Sequence, residues 1–459
     1  MPDRTNIPPC PSLTEGDVNL SPNRTAWTVG LGRENLSWLE RDAAVFLHQS
    51  LSTPCLDVLE ACEGSRIRDL DGREFLDFHG NSVHQVGFSR PEVLEAIIRQ
   101  MRTLSFSPRR FTNVPAVLLA EKLVELSPGS LDKVLFAPGG TLAVGMALKI
   151  ARVPTGRFKT VSMWDSFHGA SLDAVSVGGE SLFRAGIGPL LPGSEHVPPP
   201  DPYRCVLAPP SGGCRACGLR CAAYLEYVLE KEADVAAVIA EPFRCTTVNI
   251  PPEGYWPRVR QACDRHGALL VLDETALCLG RAGSFHAFQR FGITPDLLVM
   301  GKGLGGGVFP LAAVIARTGL DVAGHMALGH YTHEKNPVAC AAALAAIDVV
   351  LEDDLPGRAE TLGSHAAARL RDMASRNPLI GDVRAMGLCL AVDLVTDRAA
   401  KTPAAALADR ILYRCLERGL SFKVSSGACL TLTPPLTVSL DDLDAALDIL
   451  EAAMSLETA

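Results

Sequence analysis

Two residues of this sequence stand where reactive groups are usually presented. Asp273 follows the apolar run Ala268 to Leu272, and Lys302 follows a second such run, Leu297 to Met300. The lysine sits in Gly301-Lys302-Gly303, with Gly305, Gly306 and Gly307 just beyond. Both runs are too short for helices and are bounded by glycine or acid, so they read as buried strands. An amine and a carboxylate at buried strand ends suit one kind of carbonyl chemistry. The amine captures an aldehyde, while the carboxylate keeps a ring nitrogen protonated so that the ring accepts electrons. Pyridoxal phosphate makes these two demands, and glycines beside the lysine let backbone pass close to such a ring. The same spacing also fits an ordinary α/β crossover whose acid caps a helix and whose lysine is solvated.

Other strand ends carry polar groups too. Lys133 to Phe136 reads as a strand that breaks into Gly139-Gly140-Thr141 before a helix running to Arg152. Strand, glycine turn and helix start form an anion site, because free backbone N–H groups and the helix dipole face a phosphate. Lys159 to Trp164 leads into Ser166-Phe167-His168-Gly169, where His168 is either a site residue or a core histidine satisfied by backbone. The apolar run within Asp234 to Phe243 ends at Glu241-Pro242 and is followed by Arg244, either an anion clamp or a surface arginine.

The elements that must hold these groups are those of a large α/β body. The chain has 459 residues, 47% of them hydrophobic, enough for a sizeable core. Its net charge of -9 and the lack of any basic tract argue against nucleic acid and against an anionic membrane surface, leaving small molecules as partners. The polar, proline-rich start and the absence of a long apolar run lead us to expect a soluble, cytoplasmic protein. A polar arm leads to an amphipathic segment from Leu36 to Gln49, with Leu36, Leu39, Ala43 and Leu47 on one face. From Val58, a strand, an Asp71-Gly72 turn and a second strand form a hairpin, and a helix after Arg90-Pro91 puts Val93, Ile97 and Met101 in register. Most of the 14 cysteines lie in apolar runs as small core residues. Cys205, Cys214, Cys217 and Cys221 are clustered in a proline- and glycine-rich stretch, and they are either core thiols or a stapling metal module. We assign no metal ligand.

The stretch Gly267 to Pro310 resembles the signature of class III aminotransferases, pyridoxal-phosphate enzymes of fold type I. It supplies Asp273-Glu274, Gly280-Arg281-Ala282-Gly283, Pro295-Asp296 and Lys302 with Gly306-Gly307. The resemblance covers about residues 55 to 455. It implies a large domain with a mainly parallel, seven-stranded sheet plus a small α+β domain drawn from both termini. The implied boundaries are 1–75 for the arm and small-domain hairpin, 76–330 for the cofactor domain with an insert at about 186–221, and 331–459 for the C-terminal small domain. It also implies that Lys302 carries the cofactor and Asp273 faces its ring nitrogen. Gly140 and Thr141 would hold the phosphate and Phe167 would stack on the ring. Thr332, in Thr332-His333-Glu334-Lys335-Asn336-Pro337, would reach the phosphate of a neighbouring subunit's cofactor, hence a homodimer.

Departures from the family bear on substrate. Amino-acid transaminases usually carry an arginine for the α-carboxylate where this chain has Thr431, before Pro434-Pro435, and a glutamine where it has Ala276. A desolvated carboxylate without its partner would cost roughly 2–5 kcal/mol. The run from Ser162 to Glu180, the cysteine-rich insert and Glu241-Pro-Phe-Arg-Cys-Thr-Thr247 resemble the family's lyase branch, ammonia-lyases of (R)-1-hydroxy-2-aminoethylphosphonate. The resemblance therefore implies a lyase acting on a primary amine with an anionic tail, for which Arg244 is the candidate clamp. The alternatives are an ω-amine or ω-amino acid:2-oxo acid aminotransferase and, from another class, a non-catalytic metal-binding protein on the same fold.

Overall fold

The computed structural model describes residues 21–209 and 213–457. The arm expected before residue 21, positions 210–212 of the cysteine-rich insert, and residues 458 and 459 lie outside the described residues.

The helix read in the arm spans Arg33–Val45, so Leu47 falls beyond it and is 90% exposed. The expected hairpin is three short antiparallel strands: β1 (Leu59–Glu63), β2 (Arg66–Asp69) and β3 (Glu74–Asp77). The first run, read as one strand, folds back at Gly64, where φ is +54°. In the helix Pro91–Thr103, Val93 and Ile97 are buried but Met101 faces solvent.

The central sheet has seven strands: β4 (Leu131–Ala137), β5 (Lys159–Met163), β6 (Ser194–Val197), β7 (Val235–Ala240), β8 (Leu269–Asp273), β9 (Leu297–Met300) and β10 (Ala312–Arg317). Their order is β4-β10-β9-β8-β7-β5-β6. Only β10 runs antiparallel to its neighbours, and the short connection 301–311 explains it, since a parallel return needs a longer crossover. Strand alternation sorts the apolar side chains to two faces. Leu270, Leu272, Leu298 and Met300 join one core, while Val271, Leu297 and Val299 join another beneath the helix Gly140–Thr155.

Two smaller sheets complete the fold. β11 (Ile380–Met386) and β12 (Cys389–Asp397) form a hairpin, and the short β13 (Thr402–Pro403) pairs with β12. β14 (Leu420–Ser421) adds in parallel to β3 of the N-terminal hairpin. β15 (Lys423–Ser425) and β16 (Cys429–Leu432) continue from β12. Chain segments far apart in sequence therefore share one sheet at β3 and β14. Among the described residues no helix is long and apolar enough to cross a membrane.

Candidate active site

Because β4, β5, β7, β8 and β9 are mutually parallel, their carboxyl ends open onto one edge of the sheet, where ligands bind in open α/β sheets. The residue or loop that follows each strand delivers a polar group there. β9 delivers Lys302, β8 Asp273 and Thr275, β7 Glu241, and β5 Phe167 and His168; β4 leads to Gly140 and Thr141. All but the buried Asp273 line one cavity of about 380 Å³. Lys302 is exposed into it from a backbone at φ +47°, in the left-handed region that lysine rarely adopts.

Asp273 is 2% exposed and carries three bonds from the protein. Thr275 donates through its hydroxyl at 2.6 Å and its backbone N–H at 3.0 Å to Oδ1, and His168 Nδ1 lies 2.8 Å from Oδ2. Burial by itself raises this carboxyl, but the bond from His168 and the pair from Thr275 outweigh it and hold it below its ordinary 3.8. An ionised carboxylate only accepts, so His168 Nδ1 is the donor. His168 is thus a buried residue of the cavity wall that is tied to Asp273 through Nδ1 rather than to backbone. Spacing alone could not reveal this pairing.

At the phosphate-loop position, the helix Gly140–Thr155 begins after Gly139 without any side-chain cap, leaving its first N–H groups to a ligand. Thr141 Oγ1 lies 2.6 Å from Ser171 Oγ and accepts from Ser171 N at 3.1 Å. Gly169 passes so close that a Cβ there would stand 2.4 Å from Thr141 Oγ1. Phe167 is 37% exposed over the cavity and packs on Phe183 with centroids 4.3 Å apart. An ionised buried carboxylate, an uncapped helix start, an amine and an exposed ring around one cavity are a donor set that fits pyridoxal phosphate.

Two expected residues do not line this cavity, of which Thr332 is expected at a neighbouring subunit's cofactor. Thr332 is exposed and does not line this cavity. Arg244 lines a different cavity of about 210 Å³, not the wall beside Lys302. Its guanidinium donates to Glu180 Oε2 and to Ser426 Oγ, each at 3.1 Å, in an ion pair whose side chains are 11% and 10% exposed. The antiparallel bridge Arg244↔Asn249 turns the chain away just after the strand end.

Several wall residues are not assigned to the site from the sequence, although Glu241 is read at a strand end. Glu241 accepts from Cys245 N at 3.0 Å, and burial pushes its carboxyl up to about 7. Lys423 and His79 also line the Lys302 cavity, from the small sheets. In the insert, Cys205 and Cys214 are half-buried, and Cys217 and Cys221 are buried. Among the described residues no group of three or more His, Cys, Asp or Glu is placed to hold a metal ion.

The family model for class III aminotransferases matches residues 49–454. The chain is 47% identical to the (R)-1-hydroxy-2-aminoethylphosphonate ammonia-lyase of Vibrio splendidus, over 96% of this chain and 95% of that one. It is 37% identical to a leucine/methionine racemase of Thermococcus litoralis, over 91% and 95%. Among solved structures, an amine transaminase of an uncultivated Pseudomonas species in its PLP-bound form superposes with a TM-score of 0.83 at 32% identity, covering 90% of this chain and 98% of that one.

Proposed function

Because this chain belongs to the class III aminotransferase family, whose chemistry depends on pyridoxal phosphate, we propose that it is an ammonia-lyase. Its substrate would be a 2-amino-1-hydroxyethylphosphonate, released as an aldehyde and ammonia. The observation that carries the lyase reading over transamination is Thr431 in the cavity wall. A transaminase seats two substrates in turn, and amino-acid transaminases usually grip the second, an oxo acid, by an arginine fork at this position that takes both carboxylate oxygens. Here the hydroxyl at that position is committed to Thr246 O and to Ser425 Oγ, and it offers no charge. A lyase needs no oxo acid.

Pyridoxal phosphate, when bound, supplies an aldehyde for the amine and a protonated ring that accepts electrons. The uncapped N–H groups at Gly140 and Thr141 would hold its phosphate, Phe167 would cover its ring, and Asp273 would face the ring nitrogen. Lys302 would anchor it and then, displaced by the substrate amine, take the proton from the amine-bearing carbon. His168 and Thr275 keep Asp273 ionised throughout, so no proton is lost from the ring side to the carboxylate. The β-hydroxyl leaves as water with a returned proton, and a second water then releases ammonia. The substrate therefore loses one water and takes one back.

Thr332 would reach the cofactor phosphate of a partner subunit, which makes the working unit a homodimer. The described cysteines are all free thiols, in keeping with a reducing cytoplasm. The test is to give the purified holoenzyme the amino-hydroxy phosphonate without any oxo acid. Free ammonia is the expected result. Turnover that begins only when an oxo acid is added would replace this reading with an ω-amine transaminase, the activity of the amine transaminase it superposes on.

A further inference from the structure

Lys423 stands directly across the ladder from Thr431, since Lys423 on β15 pairs with Thr431 on β16. Both line the cavity that holds Lys302. On a twisted antiparallel pair such cross-strand residues share one face, so the two positions serve the same volume of the site. The wall that lacks a cation at 431 therefore has one at 423.

His79 completes this side of the cavity. It follows β3, which is tied to the segment leading into Lys423: Phe78 N donates to Ser421 O at 2.8 Å and Thr433 N to Phe78 O at 2.7 Å. Immediately after it, Gly80, Asn81 and Ser82 have φ of +45°, +45° and +56°. Backbone strain of this sort persists where surrounding structure fixes it, and here it turns Asn81 and Ser82 into the same cavity. Burial, and then the nearby ammonium groups of Lys423 and Lys302, lower the His79 imidazole to about 3. The neutral ring has an N–H to donate and adds no charge.

We propose that Lys423, with His79 beside it, binds the anionic tail of the substrate, and that Arg244 does not. This rests on the reading of the cavity as the amine site. A compact ammonium with three donors can meet a tetrahedral oxyanion from several directions; a guanidinium fork could grip it as well, so it is position, with Lys423 and not Arg244 lining the Lys302 cavity, that decides between them. Recruiting Arg244 instead would require breaking its sheltered pair with Glu180, a loss the tail would have to offset.

The test uses the holoenzyme and three variants, Lys423→Met, Lys423→Arg and Arg244→Met. Methylphosphonate binding is titrated through the cofactor's visible absorbance, and KM and kcat are measured for the amino-hydroxy phosphonate and for uncharged 1-amino-2-propanol. Lys423→Met should weaken methylphosphonate binding and raise the phosphonate KM roughly ten- to a hundredfold, with the uncharged amine unchanged. Lys423→Arg should recover part of the loss, and Arg244→Met should not reproduce it. Equal losses on charged and uncharged amines, or a phosphonate effect that follows Arg244, would overturn the proposal. If Lys423→Met does not retain cofactor, Lys423→Gln takes its place. Should the wild type release no ammonia from the phosphonate, the lyase reading falls by itself. Methylphosphonate binding then still decides the subsite: dependence on Lys423 upholds it and independence overturns it.

Discussion

Replacing His168 tests whether Asp273 is held ionised for a chemical purpose. Oδ2 of Asp273 has one protein donor, His168 Nδ1 at 2.8 Å, while Thr275 serves Oδ1. Both side chains are essentially inaccessible, at 0% and 1% exposure, so solvent does not screen the bond. A hydrogen bond to a charged group contributes roughly 1.5–3 kcal/mol, which sets a loss of about 10- to 150-fold in kcat/KM for His168→Phe. The pH dependence follows from the depressed carboxyl. Its contribution to stability is fully present above the ordinary 3.8 and is lost as pH falls through the lower folded value. Without His168 the burial effect regains weight and the carboxyl rises. The acid limb of kcat/KM should then move upward toward the working range, and loss of thermal stability should begin at a higher pH. His168→Asn, whose amide N–H stands where Nδ1 does, should recover part of both. The assay is kcat/KM for ammonia release over roughly pH 5 to 8, with melting curves across the same range. A loss of equal size in the Phe and Asn variants at every pH would refute the argument and make His168 a packing residue.

Lys302→Ala should reduce ammonia release by at least ~10²–10⁴-fold, the usual contribution of a positioned general base, while cofactor survives desalting through the phosphate loop. Undiminished turnover would remove the central assignment. Gly169→Ala should fold less stably and lose cofactor affinity, because the new Cβ lies 2.4 Å from Thr141 Oγ1 and φ is +130°. Strain of that kind costs of order 1–3 kcal/mol, read from the Tm of the apoprotein and from cofactor dialysis.

What the sequence revealed and what it hid have separate physical causes. Parallel strands buried on both faces appear as continuous apolar runs, so β7, β8 and β9 and the groups that follow them were readable without any tertiary knowledge. The antiparallel entry of β10 was not, because direction is set by the connection and not by the strand. Arg244 shows the limit of counting from a strand end. Its position put it on the correct edge of the sheet, but the local bridge to Asn249 and the distant Glu180 decide which cavity it faces. His168 was placed beside the site, yet its partner lies two strands across the sheet, which no local pattern encodes. Lys423 left no trace at all. Its strand is only three residues long, ends at Ser425 and is followed by Ser426 and Gly427, and its relation to Thr431 exists only once the register is fixed.

The site is assembled from two sources, and this division has consequences for how its chemistry can change. The cofactor face comes from the carboxyl ends of the large sheet, where Lys302, Asp273, His168 and the loop at Gly140 are fixed by buried parallel strands. The opposite face comes from β3, β14, β15 and β16, where His79, Lys423, Thr431 and Thr433 are joined by backbone bonds between segments some 340 residues apart, as in the pairing of Asp77 with Ser421. Its members are held to one another by backbone hydrogen bonds rather than to the cofactor. Moving a cation from position 431 to position 423 is a change within that second face alone. On the proposed reading it would alter which tail is accepted while leaving Lys302 and Asp273 where they are. Sequences that share Asp273 and Lys302 can therefore differ in product, and the residues to compare among them lie on the small-sheet wall.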